Sequence, residues 1–369
     1  MFSAELYPLI FRNVVLVIVL LKCISLLTNS GYNDNITDKI KALLLCFVII
    51  VFSGSRPIDG SIGDTRMYAH SYNLCVNGVN MDGNSGEWLW SWIITICVDV
   101  GLSVNAWFTV IAFLYVGLLF LVSIRITRNS SYLIILFFIS AFVFYSGAVN
   151  GLRIGLATSI FTLALTYISS CHLTRKIFAI LLFIAAFFTH KSIVLPVFCL
   201  FCSIFFFKNI KYPVVFWFFS IVLLLLFGNF CASVLDSLGL FSFDERMENY
   251  LIGNRDGVTD YDKGGFRWDF LLFSSTPIVF GWYITVKRKI TDKFYIVILN
   301  TYILANAFWI LVMYAKFSNR FASLSWFLFP LLFAYPLVNF KLWKNQNEKI
   351  ALILFFYMFF TYFMWLIGK

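Results

Sequence analysis

Long apolar runs separated by short polar segments dominate the sequence. Runs of this length approach the roughly 20 residues that an α-helix needs to cross a hydrocarbon core about 30 Å thick. The pattern therefore predicts an all-α polytopic membrane protein with about twelve transmembrane helices. The predicted spans are residues 10–27, 42–53, 105–124, 132–149, 154–170, 177–189, 193–207, 213–231, 269–286, 294–314, 321–338 and 350–367.

A thirteenth apolar segment, residues 88–100, is shorter than the others. It ends at Asp99 and Gly101, and its 13 residues are too few to cross a bilayer. If it crossed, every later loop would change sides and the basic loops would face both compartments. We therefore predict a re-entrant or interfacial half-helix.

The charge distribution orients the predicted spans. Six loops, from the one at 28–41 to the one at 339–349, together hold 15 Lys and Arg residues against 4 Asp and Glu. Positively charged loops face the cytoplasm, so both termini are predicted to lie in the periplasm. Two long periplasmic regions follow, the first loop with the half-helix at 54–104 and a second loop at 232–268, within a single integral membrane domain at 1–369.

Composition supports a membrane protein and excludes several other classes. The chain is 61% hydrophobic and 12% charged, with a mean hydropathy of +0.88, whereas soluble domains are about a quarter charged. The net charge of +10 follows mainly from the cytoplasmic loops and does not indicate nucleic-acid binding. The first apolar run lacks a small-residue cleavage site, so we interpret it as a span and not as a signal peptide.

The eight cysteines do not form a recognisable framework. Most lie inside apolar runs, including the Cys199–Cys202 pair. Buried cysteines behave as small hydrophobic residues, so we expect no disulfide and no metal site.

Basic residues recur where the positive-inside rule disfavours them, in the predicted outer loops and at outer helix ends. Their number suggests an anionic ligand, and Arg matches phosphate with paired donors. A lipid-linked pyrophosphate at the outer leaflet fits, while salt bridges with the outer acidic residues remain the alternative. These residues are Arg56, Arg66, Arg153, Lys191, Arg255, Arg267, Lys316 and Arg320.

Four other features of the sequence are interpreted separately from these basic residues. Glu87 precedes the half-helix, where an acidic residue complements the helix dipole. The glycines at 147, 151 and 155 allow close helix packing. His190 is a candidate base or a structural residue, and the Asp260–Asp262 pair is a weak metal motif because nucleotide sugars are not expected outside the cell.

Several short motifs in order resemble the EpsG-like family of Wzy-type O-antigen and exopolysaccharide polymerases. They are "GSRPIDGSIGDTRMYAHSYN", Glu87 before a short helix, "NGLRIGLATSI", "THKS" and "NRFASLSWF". The resemblance implies a GT-C-like, inverting polymerase in the bacterial inner membrane. It would transfer a growing glycan from undecaprenyl pyrophosphate onto a lipid-linked repeat unit in the periplasm. The positions that match the family's motifs are Arg56, Asp64, Tyr68, Arg153, His190 and Arg320.

The expected site combines pyrophosphate binding with a base. Arg153 and Arg320 would stabilise the leaving group, and His190 or Asp64 would accept the acceptor proton. No cofactor or metal is expected, and a chain-length regulator and a flippase are candidate partners beside the lipid substrate and the bilayer. The expected substrate contacts are Arg56, Arg66, Tyr68, Lys191, Arg255, Arg267 and Lys316.

Two other functions stay open. A flippase or transporter would also bind lipid-linked glycan, but it would carry ionisable groups near the bilayer midplane. A GT-C transferase with a lipid monophosphate donor, or a membrane acyltransferase, would add a single group and would not join whole repeat units.

Overall fold

The computed structural model describes residues 3–28, 35–79, 86–127, 129–168, 170–228 with 230 and 234, 265–315 and 318–367. All regular secondary structure within these ranges is helical, which confirms the predicted all-α class. The chain divides into two compact units. The first comprises residues 1–190 and 333–369, and the second comprises residues 191–332.

The first unit holds most of the helices. Helix α5 (Val104–Ile126) begins at a capped turn, where the Ser103 hydroxyl accepts a hydrogen bond from the Ala106 amide, as Ser at an N-cap typically does. The helices of this part of the chain are α1 (Leu6–Leu27), α2 (Asn35–Gly54), α3 (Thr65–Val76), α4 (Trp88–Asp99), α5 (Val104–Ile126), α6 (Ser131–Ile139), α7 (Phe142–Tyr145), α8 (Leu152–Ile168) and α9 (Leu173–Thr189). α7 continues as a π-helix, Ser146–Asn150.

Packing in the first unit centres on α5 and α8. α5 contacts α2, α6 and α8, and α8 also contacts α9. α8 is buried along most of its length, so the segment that carries Arg153 lies inside the unit. The C-terminal helix α16 (Gln346–Ile367) packs against α1.

The second unit is built around one central helix. Helix α13 (Lys293–Leu311) is buried along most of its length, and three helices pack against it: α10 (Val194–Phe206), α11 (Lys211–Phe227) and α14 (Ser318–Trp326). Its amide side chain at Asn306 accepts a hydrogen bond from the Trp217 indole at 2.9 Å and donates one to Ser325 Oγ at 3.1 Å. The other helices of this part of the chain are α12 (Trp268–Trp282) and α15 (Phe329–Asn339), and α15 continues past the division between the units.

Each of the twelve predicted spans coincides with a helix or a helix pair, but their number as membrane crossings is not confirmed. Six helical segments in the described ranges are long and apolar enough to cross a membrane, and a bent pair brings the number to seven. Other apolar helices are shorter: α8 and α11 have 17 residues each, which rise about 26 Å along a helix and lie at the lower limit for a span. The predicted half-helix corresponds to α4, which has 12 residues.

Two predictions need correction. The run at 132–149 was expected to be one span, and the structure divides it into α6 and α7, which meet at an angle of 74° because Ala141 between them is extended. The region 54–87 was treated as a loop, yet it contains α3. The buried residues of α3 recur at helical spacing on one face of that helix. The pattern is short, and the polar residues around it obscure it in the sequence.

Candidate functional site

A buried carboxylate lies at the centre of the candidate site in the first unit. Glu87 directly precedes α4 and is 3% exposed. Its Oε2 accepts a hydrogen bond from Arg153 Nη1 at 2.7 Å, and its Oε1 lies 2.6 Å from His190 Nδ1. An ionised carboxylate is costly to bury unless it is paired and hydrogen-bonded. We refer to Glu87, Arg153 and His190 as the Glu87 cluster.

The position of Arg153 follows from close backbone packing at the start of α8. Gly155 lies so near Gly147 that a Cβ there would overlap the Gly147 carbonyl oxygen. The predicted packing role is confirmed for this pair of glycines. Arg153 is in the first turn of the same helix, and its side chain is only 16% exposed. The fixed helix therefore directs the guanidinium toward Glu87.

His190 ends α9 and adopts an extended backbone conformation, with φ −157° and ψ 115°. When the Glu87 carboxylate is ionised and the imidazole is neutral, Nδ1 donates the proton in their hydrogen bond, and Nε2 keeps a free lone pair. Nε2 has no hydrogen-bond partner in the described part of the chain. The ring is thus oriented as a general base would be, with 17% of its side chain exposed.

Aromatic side chains form one wall of the Glu87 cluster. Tyr68 on α3 is 5% exposed, and its ring centroid lies 6.0 Å from Arg153 Cζ. Tyr68 packs edge-on against Trp90 at 5.9 Å, and Trp90 packs against Trp107 at 5.8 Å. An apolar wall lowers the local dielectric and strengthens the charge interactions beside it. The predicted contact between Tyr68 and substrate stays a prediction.

Arg56 is fully buried, at 0% exposure. Its Nη1 donates to the Val149 carbonyl oxygen at 2.7 Å, and its Cζ lies 4.2 Å from the centroid of the Phe108 ring. No hydrogen-bond partner lies near its Nε or Nη2 in the described residues. Burial lowers the pKa of Arg56 to about 10, so the guanidinium keeps its charge at neutral pH. Its position supports the backbone before Arg153, and direct contact with substrate stays a prediction.

The segment before α3 and the first turn of that helix carry three further polar residues of interest. The Asp64 amide donates to Asn150 Oδ1 at 2.7 Å, and the side chain of Asp64 is partly exposed. Arg66 is exposed. The Asp59 carboxylate accepts hydrogen bonds from the Ser61 amide and hydroxyl, and these bonds lower the pKa of the Asp59 carboxyl.

Other predicted site residues belong to the second unit. Lys191 opens a short 3₁₀ turn, and Arg320 is exposed on α14. Arg267 pairs with Asp269 through two hydrogen bonds, Nε to Oδ1 at 3.0 Å and Nη2 to Oδ2 at 2.7 Å. The alternative that outer basic residues form salt bridges therefore applies to Arg267, and equally to Arg153 through its contact with Glu87. Convergence of these residues with the Glu87 cluster stays a prediction.

Two predicted substrate contacts, Arg255 and Lys316, lie outside the described residues, as does the Asp260–Asp262 pair.

Sequence reasoning missed the residue that joins the cluster. Glu87 was interpreted as complementing the dipole of α4. That interpretation requires no partner for Glu87 elsewhere in the chain. Arg153 and His190 are distant from it along the chain, by 66 and 103 residues, so no local pattern shows the contact. Asn150 was also given no role, although it is the first residue of the motif "NGLRIGLATSI" on which the family resemblance partly rests.

Within the described residues, no group of three or more His, Cys, Asp or Glu side chains is arranged to hold a metal ion. The Glu87 cluster itself offers a paired cation and an imidazole, both held by one carboxylate.

These features define a helical membrane protein with a buried charged cluster at the ends of several helices. The EpsG family matches residues 39–369, and the chain belongs to this family. The family is associated with glycosyltransferase-like polymerases, so membership suggests a polysaccharide polymerase-like role. No curated protein and no solved structure matches the chain.

Proposed function

We propose that this protein is a polymerase of O-antigen or another surface polysaccharide. It transfers a growing glycan from undecaprenyl pyrophosphate onto a lipid-linked oligosaccharide repeat unit, by metal-independent, inverting glycosyl transfer. The observation that carries the proposal is the double contact of Glu87 with Arg153 and His190. A cation for the leaving group and a base for the nucleophile are the two groups that this reaction requires.

Arg153 acts on the leaving group. As the acceptor oxygen attacks the anomeric carbon, the bond from that carbon to the pyrophosphate oxygen breaks, and the bonding pair leaves with the lipid pyrophosphate. The developing negative charge is stabilised by the guanidinium, which offers paired donors in phosphate geometry. Glu87 holds the guanidinium in place before substrate arrives, so little reorganisation is needed during the reaction.

His190 acts on the nucleophile. Its Nε2 accepts the proton of the acceptor hydroxyl, while Glu87 fixes the tautomer through Nδ1 and stabilises the imidazolium that forms. General-base catalysis of this kind contributes roughly 10²- to 10⁴-fold. Asp64 is the alternative base, and it lies one turn before Tyr68 at the start of α3.

The remaining predicted residues bind other parts of the substrates. Arg66, Lys191 and Arg267 would contact phosphate or sugar, and Arg320 would assist Arg153 at the leaving group. The second long loop, with Arg255, would read the particular repeat unit, and Lys316 would also contact the substrate.

The active face is periplasmic in this proposal, the protein spans the bacterial inner membrane about twelve times, and both termini lie outside. Labelling with a membrane-impermeant maleimide tests this orientation. In a background without Cys75, Cys171, Cys202 and Cys231, Arg66→Cys should be labelled in intact spheroplasts, and Lys344→Cys only after lysis. The reverse result would exclude a periplasmic site.

The function is tested with purified protein in nanodiscs and undecaprenyl-pyrophosphate-linked repeat units as the only substrate, with EDTA present. The wild-type protein should produce a ladder of glycan lengths, and Arg153→Ala should leave single repeat units. Arg125→Ala is the matched control, because Arg125 is an exposed arginine at the end of α5. Absence of a wild-type ladder, or addition of one sugar only, would exclude a polymerase.

A further inference from the structure

We propose that Asn150 is a positioning residue of the active site, an inference that rests on the proposed polymerase function. Its side chain joins the beginning of α3, which carries Tyr68, to the beginning of α8, which carries Arg153. The amide oxygen of Asn150 thereby sets the distance between the guanidinium and its aromatic wall.

The first side of this link is a hydrogen bond at the start of α3. Asn150 Oδ1 accepts from the Asp64 amide at 2.7 Å. Amide groups at the N-terminus of a helix have no partner inside the helix, so Asn150 supplies one from a different segment. The Asp64 carbonyl oxygen in turn accepts from the Tyr68 amide at 3.0 Å. One turn of helix therefore connects Asn150 to Tyr68.

Gly63 makes room for this link. It has a φ of +51°, a conformation that favours glycine. A Cβ at this position would overlap the side-chain carbonyl of Asn150. Both the backbone conformation and the space at residue 63 are thus adapted to the Asn150 side chain.

The second side of the link is the backbone on which Asn150 sits. Asn150 ends the π-helix Ser146–Asn150, and the Gly151 amide closes it by donating to the Ser146 carbonyl oxygen at 2.7 Å. The fully buried Arg56 holds the preceding residue through the Val149 carbonyl oxygen. π-helical turns frequently occur at functional sites. Asn150, the last residue of this turn, lies three residues before Arg153 in the sequence.

The consequence for the reaction is geometric. Loss of the Asn150 oxygen leaves Arg153 and Glu87 chemically intact but frees α3 to move relative to α8. A displacement of about 1 Å at a catalytic group reduces turnover by ~100-fold. Because the groups that bind substrate are still present, the loss should fall mainly on kcat and much less on KM.

The experiment compares three variants in the nanodisc polymerisation assay, with rates normalised to folded, monodisperse protein. Asn150→Ala should lower kcat by ~100-fold with little change in KM. Asn150→Asp keeps an acceptor oxygen and should retain most of the turnover. Gly63→Ala disturbs the same link from the other side and should resemble Asn150→Ala. Asn339→Ala removes an exposed asparagine with only a local hydrogen bond and should behave as wild type.

A merely structural role makes a different prediction, because the folded fraction of Asn150→Ala would then turn over at the wild-type rate while its thermal stability falls. That result, or an equal loss in Asn150→Asp and Asn150→Ala, would overturn the inference. Failure of the wild-type protein to extend glycans would instead count against the proposed function, which separates the two outcomes.

Discussion

Replacement of Glu87 by Gln is the sharpest test of the Glu87 cluster. Gln has nearly the same shape as Glu but carries no charge, and its amide nitrogen cannot accept a hydrogen bond. If the remaining oxygen faces Arg153, the nitrogen faces His190 and favours the tautomer with Nδ1 unprotonated, which places a proton on Nε2. If the oxygen faces His190, two donors meet at Arg153.

The contacts in the structure set the size of the effect. Glu87 makes one bond of 2.7 Å and one of 2.6 Å while 3% exposed. A hydrogen bond to a charged group contributes about 1.5–3 kcal/mol, and Glu87→Gln loses at least one of the two. We therefore expect the free energy of unfolding to fall by about 1.5–3 kcal/mol. Turnover should fall by ~10²- to 10⁴-fold, the contribution of a general base.

The assay follows extension of lipid-linked repeat units by purified protein, together with thermal unfolding of the same samples. Glu5→Gln is the matched control, because it makes the same chemical change at an exposed glutamate and should leave both measurements unchanged. A folded Glu87→Gln protein with wild-type turnover would falsify the assignment of His190 as a base oriented by Glu87.

Three further predictions concern separate parts of the structure. Arg153→Lys keeps the charge but replaces the planar fork by a single ammonium, and losing one charge-assisted hydrogen bond should lower kcat/KM by ~10- to 100-fold in the steady-state polymerisation assay. Gly155→Ala should reduce the free energy of unfolding by about 1–3 kcal/mol, because the new Cβ meets a backbone carbonyl oxygen. Gly117→Ala is the control and should not destabilise the protein, because its Cβ meets nothing within 4 Å; thermal unfolding of both variants measures the effect. Asn306→Leu leaves the buried Trp217 indole N–H without its acceptor and should cost about 1–3 kcal/mol; an unchanged melting temperature would show that this hydrogen bond contributes little.

The sequence predicted the helical class well, because apolar runs of this length admit few other structures. It also predicted the short helix at α4, since 13 residues between polar ends cannot reach across a bilayer. It did not predict the bend between α6 and α7, because Ser140 and Ala141 are ordinary helix residues and their departure from the helix depends on the surrounding packing. The helix α3 was missed because it has only 12 residues and mixes apolar with polar side chains, so it lacks the long apolar run that marks the other helices.

Candidate site residues could be chosen by type, but their partners could not. Arg153 and His190 attracted attention because a basic or titratable group at the end of an apolar run is costly and needs a reason. Arg56 was chosen on the same grounds, yet it is fully buried beneath the backbone of Val149. Whether such a residue is fully buried depends on which face of its segment packs inward. Charge alone does not determine this.

By itself, the amino-acid sequence determined that this chain is a bundle of apolar helices, because hydrophobicity and period act locally along the chain. Only the tertiary structure decided that Glu87 joins Arg153 to His190 and that Asn150 joins α3 to α8. Both contacts connect residues that are distant in sequence. They form only when Gly155 of α8 packs closely against Gly147, which brings the beginning of α8 near the segments before α3 and α4. Contacts of this kind depend on three-dimensional packing, which a one-dimensional pattern does not specify.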